Sequence, residues 1–174
     1  DARKKASSTP FLDSFGEVLV EKDKQGKLEP FYGREEELDR MVQTLLRKEK
    51  RSPLIVGKSG VGKTALIHGL SSKISLGEVP ARLVNKRVVQ LNFSRLLGAF
   101  GPRKGVEAGF SGLLEEVVER ENTILFIDEM HQLMGKSFLV ETSSSLVEIL
   151  KDALERKAFR FIGATTDEDY SRYL

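Results

Sequence analysis

Apolar positions along the chain fall into two alternating patterns. Short continuous runs are expected of strands: Leu54 to Val56 (LIV), Arg87 to Leu91 (RVVQL), Ile124 to Ile127 (ILFI) and Phe159 to Ala164 (FRFIGA). ILFI has no polar position, as expected of a central parallel strand covered on both faces. Between the runs, apolar residues recur at helical spacing. Thr9-Pro10 has the form of a helix start, and Phe11, Leu12, Phe15, Val18 and Leu19 then lie on one face, predicting a single helix ended by the charged stretch Glu21 to Lys27. Glu35, Glu36 and Glu37 open a second helix where negative charge favours its N-terminus, Leu38, Met41, Val42, Leu45 and Leu46 form its stripe, and Arg47 to Arg51 close it with positive charge. Ala65 to Ile74, Ser111 to Glu121 and Ser143 to Arg156 complete the helices. Leu28 to Arg34 is predicted to be an extended connector, because Pro30 biases Glu29 away from helix. Gly77 to Pro80 is predicted to turn, and Gly98 to Gly109, with Pro102, Arg103 and Lys104, to be a glycine-rich loop. Strands alternating with helices predict a doubly wound α/β domain with a parallel sheet.

The first run ends in PLIVGKSGVGKT, Pro53 to Thr64. The spacing Gly57-x4-Gly62-Lys63-Thr64 is that of a phosphate-binding loop. Glycines remove Cβ atoms so that successive N–H groups close around phosphate oxygens at the positive end of the following helix. Lys63 reaches the β- and γ-phosphates, and the Thr64 hydroxyl is placed to ligate Mg²⁺. The expected cradle is Gly57, Lys58, Ser59, Gly60, Val61, Gly62, Lys63, Thr64 and Ala65, and the expected ligand a nucleoside triphosphate. ILFI delivers Asp128 and Glu129 at its C-terminal end, where ligands bind in open α/β sheets. Asp128 is expected to hold Mg²⁺, and Glu129 to take a proton from an attacking water, a role worth about 10²–10⁴-fold in rate. The last strand ends in Thr165 and Thr166, whose hydroxyls stand where the same water or the γ-phosphate would be met. His68 and His131 are too few for a metal site. His131, close behind Glu129, is expected in the surroundings of the site, and His68 on a helix surface or in packing.

Length and composition narrow the class. A chain of 174 residues is one domain long, 31% of it charged and 40% apolar. No apolar run approaches the ~20 residues that span a bilayer, and there is no signal-peptide pattern. No cysteine is present, which excludes disulfides, thiol catalysis and Cys-ligated zinc. A net charge of +2 does not argue for nucleic acid, and the basic run Arg47 to Arg51 reads better as a solvated helix end. The chain begins at Asp1 rather than Met and is expected to be a piece of something longer. Residues 1–9 are expected to be a mobile linker or expression remnant, 10–27 an N-terminal helix and linker, and 28–174 the catalytic domain.

Taken together, GREEELDRMVQTLLRKEKRSPLIVGKSGVGKT, GEVP, ILFIDEMH and IGATTDEDYSRYL resemble the first nucleotide-binding domain of the Clp-type AAA+ ATPases, ATP-driven protein unfoldases and disaggregases. The resemblance runs from about Gly26 to Leu174. It implies a P-loop NTPase fold, the AAA+ large subdomain with a parallel sheet in the order 1-4-3-2, ending before the family's fifth strand and helical lid. It implies Lys63, Glu129 and the sensor Thr166 as the catalytic set, with ATP and Mg²⁺ bound. Pro30 to Arg34 matches the segment against adenine, with Phe31 and Tyr32 replacing an aliphatic pair. Implied partners are unfolded or aggregated protein, a homo-oligomeric ring (a hexamer in the full-length parent) and a partner protease in some members. A cytoplasmic location is implied, and neither a membrane nor nucleic acid is called for. The family's arginine fingers would follow Leu174, so the isolated chain is expected to be nearly inactive. Two departures bear on function. The family threads polypeptide with a basic-aromatic-basic-glycine loop; here Leu97 to Phe110 reads LGAFGPRKGVEAGF, the aromatic position falls on Val106, and Phe100 is the substitute candidate. The strand Leu54 to Val56 is left as a sheet edge, expected to dimerise, to be covered by the N-terminal segment, or to aggregate. An ATP-dependent scaffold without threading, or a loader-type ATPase, are the alternative functions.

Overall fold

The four apolar runs assemble side by side, in the order the resemblance implies, with a fifth strand added. The computed structural model describes residues 10–19, 33–49, 51–101, 104–120, 122–133, 140–156 and 159–173. In chain order the elements are α1 (Pro10–Phe15), β1 (Gly16–Val18), α2 (Glu35–Leu45), β2 (Leu54–Val56), α3 (Lys63–Leu76), β3 (Arg87–Leu91), α4 (Phe93–Phe100), α5 (Lys104–Glu119), β4 (Thr123–Ile127), a 3₁₀ turn (Met130–Leu133), α6 (Val140–Arg156), β5 (Arg160–Thr165) and α7 (Asp167–Tyr173). The sheet order is β1-β3-β4-β5-β2. β3, β4, β5 and β2 run parallel, with Val88 opposite Ile124, Ile124 opposite Arg160 and Leu54 opposite Gly163.

Alternation along the strands sends side chains to two cores. Val89, Leu91, Leu125, Ile127 and Phe161 face α1, α4, α5 and α6 through Leu12, Phe93, Leu96, Phe110, Leu113, Leu146 and Leu150. Val88, Ile124, Phe126, Ile162 and Ala164 face α2 and α3 through Leu38, Met41, Leu45, Ile67 and Leu70. All five residues of β4 are buried, and after Thr123 the strand carries no polar side chain, as burial on both faces requires. Arg160, entering β5, turns its Nε to the Leu45 carbonyl at 3.0 Å. Burial, and then Arg51 and Arg82, lower its pKa.

Two expected elements are corrected. The predicted helix through Leu19 stops at Phe15, and Gly16–Val18 joins the sheet antiparallel to β3, Gly16 opposite Leu91. A Cβ on Gly16 would lie 2.5 Å from Val89 Cγ1 and 2.7 Å from the Leu12 carbonyl oxygen, so the glycine is where the backbone closes on its neighbours. Gly16–Val18 of the N-terminal segment therefore covers the β3 edge. Among the described residues β2 pairs with β5 alone, and Leu54 and Val56 are 38% and 39% exposed. The predicted loop Gly98 to Gly109 is also corrected, because α4 reaches Phe100 and α5 starts at Lys104. Asn92 caps α4, its Oδ1 accepting from Arg95 N–H at 2.9 Å. The glycines of α5 serve close packing. A Cβ on Gly109 would lie 2.5 Å from the Phe100 ring, and one on Gly112 3.0 Å from the Phe11 ring.

These contacts place the two candidates for a gripping aromatic position. The Phe100 ring stacks on Phe11 (centroids 5.9 Å, 17°) and tilts against Phe15 (5.4 Å, 59°), and Val106 is fully buried. Val106 belongs to the core, and Phe100 packs half-buried against it. The start of α1 is fixed by a buried carboxylate on α5: Glu116 Oε1 and Oε2 accept from the N–H groups of Phe11 (2.9 Å) and Leu12 (2.8 Å), which have no partner inside their own helix.

Candidate active site

β2 and β5 lie side by side, and the chain turns outward from both at the same end of the sheet. Gly57, leaving β2, donates its N–H to the Thr165 carbonyl at 3.3 Å, so the glycine loop is tied to the end of β5 from its first residue. Gly60 and Gly62 have φ of 78° and 87°, the left-handed region open to glycine, and Gly62 caps the N-terminus of α3. The loop thus delivers the N–H groups of the first turn of a 14-residue helix into the space it surrounds. Lys63 Nζ donates to the carbonyls of Gly57 (2.7 Å) and Lys58 (2.8 Å), holding its ammonium over the loop.

β4 brings the carboxylates. Thr64 Oγ1 donates to Asp128 Oδ2 at 3.1 Å, joining α3 to the end of β4. Asp128 Oδ1 accepts the N–H of Glu129 at 2.8 Å. Glu129 has φ of 49°, uncommon for a residue with a Cβ and of the kind that gathers at functional sites. Gln132, in the following 3₁₀ turn, donates its Nε2 to Glu129 Oε2 at 2.7 Å and so fixes the carboxylate from one side. From β5, Thr166 Oγ1 donates to Asp169 Oδ2 at 2.7 Å and accepts the N–H of Asp169 at 3.1 Å, a reciprocal cap at the start of α7. Thr165 Oγ1, on a residue 1% exposed, has no hydrogen-bond partner among the described residues.

Ser59, Gly60, Gly62, Lys63, Thr64, Ala65, Asp128, Glu129, Thr165 and Thr166 line one cleft of about 440 Å³. Gly57 and Lys58 stand behind it, contributing the carbonyls that hold Lys63. Val61 lines a groove of about 300 Å³ along β2 with Arg34, Leu54 and Val56, which Lys63 lines as well. Phe31 and Tyr32 lie outside the described residues. His131 lines the cleft as expected of a residue in the site's surroundings; His68, half-buried on α3, also lines it. Gln132 and Asp169 are contacts that the sequence analysis did not name. The pattern Thr166-x-x-Asp169 is a capping signature from which the second could have been read.

The cleft fits the expected groups. A helix N-terminus, a lysine ammonium and an unpartnered buried hydroxyl converge where an anion would supply acceptors. Thr64 and Asp128 present hard oxygen donors together, the donor chemistry of Mg²⁺, which completes its shell with water and phosphate. A parallel sheet, a phosphate loop after β2 and a carboxylate pair at the end of β4, the next strand but one, define a P-loop nucleotide-binding ATPase domain.

The chain belongs to the ATPase family associated with various cellular activities (AAA), whose family model matches residues 53–172. Within it the chain is similar to Clp-type proteins. It is 43% identical over 162 residues to the chaperone protein ClpB of Wolinella succinogenes, covering 93% of this chain and 19% of that protein. It is 37% identical over 159 residues to the ATP-dependent Clp protease ATP-binding subunit ClpE of Lactococcus lactis, covering 91% and 21%. Among solved structures it resembles the Saccharomyces cerevisiae Hsp104–ADP complex, with a TM-score of 0.80, 37% identity, and 92% of this chain and 22% of that one covered. A closed-state reconstruction of Hsp104 with ATPγS and FITC-casein gives a TM-score of 0.82 at 36% identity, with 93% and 27% covered. The chain spans about a fifth of the length of these curated relatives.

Proposed function

We propose that this domain binds Mg²⁺–ATP in the cleft and hydrolyses it as the motor module of a ring-forming Clp-type unfoldase or disaggregase. The observation that carries the proposal is the convergence of Lys63, Thr64, Asp128, Glu129 and Thr166 on one cleft. The loop N–H groups and Lys63 would hold the phosphates, and Thr64 and Asp128 would hold Mg²⁺. When bound, Mg²⁺ neutralises charge on the β- and γ-phosphate oxygens. Glu129 would take the proton of the attacking water, its carboxylate already oriented by Gln132. Thr166 would contact that water or the γ-phosphate.

Kinship supports the larger setting. One solved relative is titled as a complex of Hsp104 with casein, so unfolded or aggregated protein is the proposed substrate class. A homo-oligomeric ring, hexameric as in the family the sequence resembles, is the proposed assembly, and the cytoplasm the proposed compartment. A protease is proposed as a further partner from relatives such as ClpE, whose name makes it a subunit of one. No helix among the described residues is long and apolar enough to cross a membrane. One observation favours a second reading, a ring scaffold ordered by ATP: of the two candidate gripping positions, Val106 is buried and the half-buried Phe100 ring is stacked on Phe11.

The test is Glu129→Gln in the full-length protein. The amide accepts hydrogen bonds but takes no proton, so ATP binding should persist while turnover falls about 10²–10⁴-fold. Turnover at the wild-type rate would remove Glu129 as the base.

A further inference from the structure

Thr166 carries one hydroxyl proton, and in this structure it is given to Asp169 Oδ2. The same oxygen is approached from the other side. His131, in the turn that follows β4, places its Nδ1 3.2 Å from Asp169 Oδ2. That nitrogen is buried and is not aligned as a hydrogen bond to any group among the described residues. Asp169 and His131 are both largely covered, with side chains 23% and 26% exposed, and His131 and Thr166 line the same cleft. Two donors therefore face one acceptor, one of them engaged and the other waiting.

We propose that Asp169 and His131 form a donor-exchange pair that decides which way the Thr166 hydroxyl points. The proposal rests on the ATPase reading given above. With the cleft free of a triphosphate, Thr166 donates to Asp169. When a γ-phosphate offers a stronger acceptor in the cleft, the hydroxyl rotates towards it. His131 Nδ1–H then closes on the vacated Oδ2, so no largely covered carboxylate is left without a donor. The backbone N–H of Asp169 continues to hold Thr166 Oγ1 in place through the exchange. Asp169 and His131 are positioning residues: they act on the nucleotide through Thr166. The exchange also links the ends of β4 and β5, since His131 follows one strand and Thr166 and Asp169 follow the other.

The chain holds two histidines, so selective ¹⁵N labelling of imidazoles gives two sets of signals, assigned with His68→Gln. Spectra are recorded without nucleotide, with Mg²⁺–ADP and with Mg²⁺–AMP-PNP, with occupancy measured by calorimetry. His131 Nδ1 should shift towards a hydrogen-bonded N–H with AMP-PNP and not with ADP. Thr166→Ala should produce that shifted signal with no nucleotide present, and Asp169→Ala should abolish the difference between states. An unchanged His131 signal at full AMP-PNP occupancy would overturn the exchange while leaving nucleotide binding intact. So would a Thr166→Ala protein whose His131 signal matches the nucleotide-free wild type. Should AMP-PNP fail to bind, the ATPase reading falls, and the Thr166→Ala spectrum still decides the exchange.

Discussion

Replacing Gly109 with alanine should destabilise the chain, and removing the Phe100 ring should reverse the sign of that effect. A glycine in a helix interior is ordinarily worse than alanine by about 1 kcal/mol. At Gly109 the added Cβ would lie 2.5 Å from Phe100 Cδ2, 2.7 Å from Cε2 and 3.0 Å from Cγ. The ring has little room to retreat, because Phe11 and Phe15 hold it from other directions at centroid distances of 5.9 and 5.4 Å. Overpacking of this kind costs about 1–3 kcal/mol, and each aromatic pair it disturbs is worth about 0.5–1.5 kcal/mol. The net effect of Gly109→Ala is then a loss of about 1–3 kcal/mol. Phe100→Ala, at a half-buried position, should cost about 2–4 kcal/mol, below the range for a fully buried ring. In that background the three nearest contacts of the alanine at 109 are gone, and it should stabilise by about 0.5–1 kcal/mol. Equilibrium urea denaturation of the four proteins measures the cycle. Gly98→Ala is the control, since a Cβ there meets nothing within 4 Å, and it should stabilise. Effects of Gly109→Ala and Phe100→Ala that add to within about 0.5 kcal/mol would mean that ring and glycine are not in contact.

Glu116→Ala should cost about 2–4 kcal/mol, because two charge-assisted bonds to the start of α1 are lost, and it should speed amide exchange across Gly16–Val18; unchanged exchange there would show that α1 is held by its aromatic contacts alone. At the free edge of β2, alternation in a parallel ladder turns the N–H groups of Leu54 and Val56 away from β5. Their exchange should slow as protein concentration rises and chains pair at this edge, whereas fast exchange at every concentration would show that the edge is tolerated unpaired.

The sheet was legible because each parallel strand is a short apolar run, and the burial of β4 on both faces is written directly in ILFI. The phosphate loop was legible because the chemistry at Gly57, Gly62, Lys63 and Thr64 leaves little choice of residue. What escaped has physical causes. Phe11, Leu12, Phe15, Val18 and Leu19 keep helical spacing, yet the edge of β3 offers hydrogen bonds that a helix through Gly16 would forgo. Gly105 and Gly109 suggest a loop when read alone. They are helical glycines: a Cβ on Gly105 would strike the Phe100 carbonyl and one on Gly109 the Phe100 ring, just as one on Gly112 would meet the ring of a residue remote in sequence, Phe11. Val61 sits within the loop motif and lines the β2 groove, a placement that spacing does not encode. Gln132 and Asp169 matter through what they hold, and neither residue type announces that by itself.

Equilibrium binding of Mg²⁺–ATP to this chain, wild type against Lys63→Ala, tests the central claim most directly. Lys63 is the cation fixed over the loop by the Gly57 and Lys58 carbonyls, so its removal takes away a charge-assisted contact to phosphate while leaving the glycine loop in place. Calorimetry should show one nucleotide bound per wild-type chain and an affinity weakened about 10- to 100-fold in Lys63→Ala. A wild-type chain that binds no nucleotide, or a Lys63→Ala protein that binds as tightly as wild type, would contradict the assignment of this cleft.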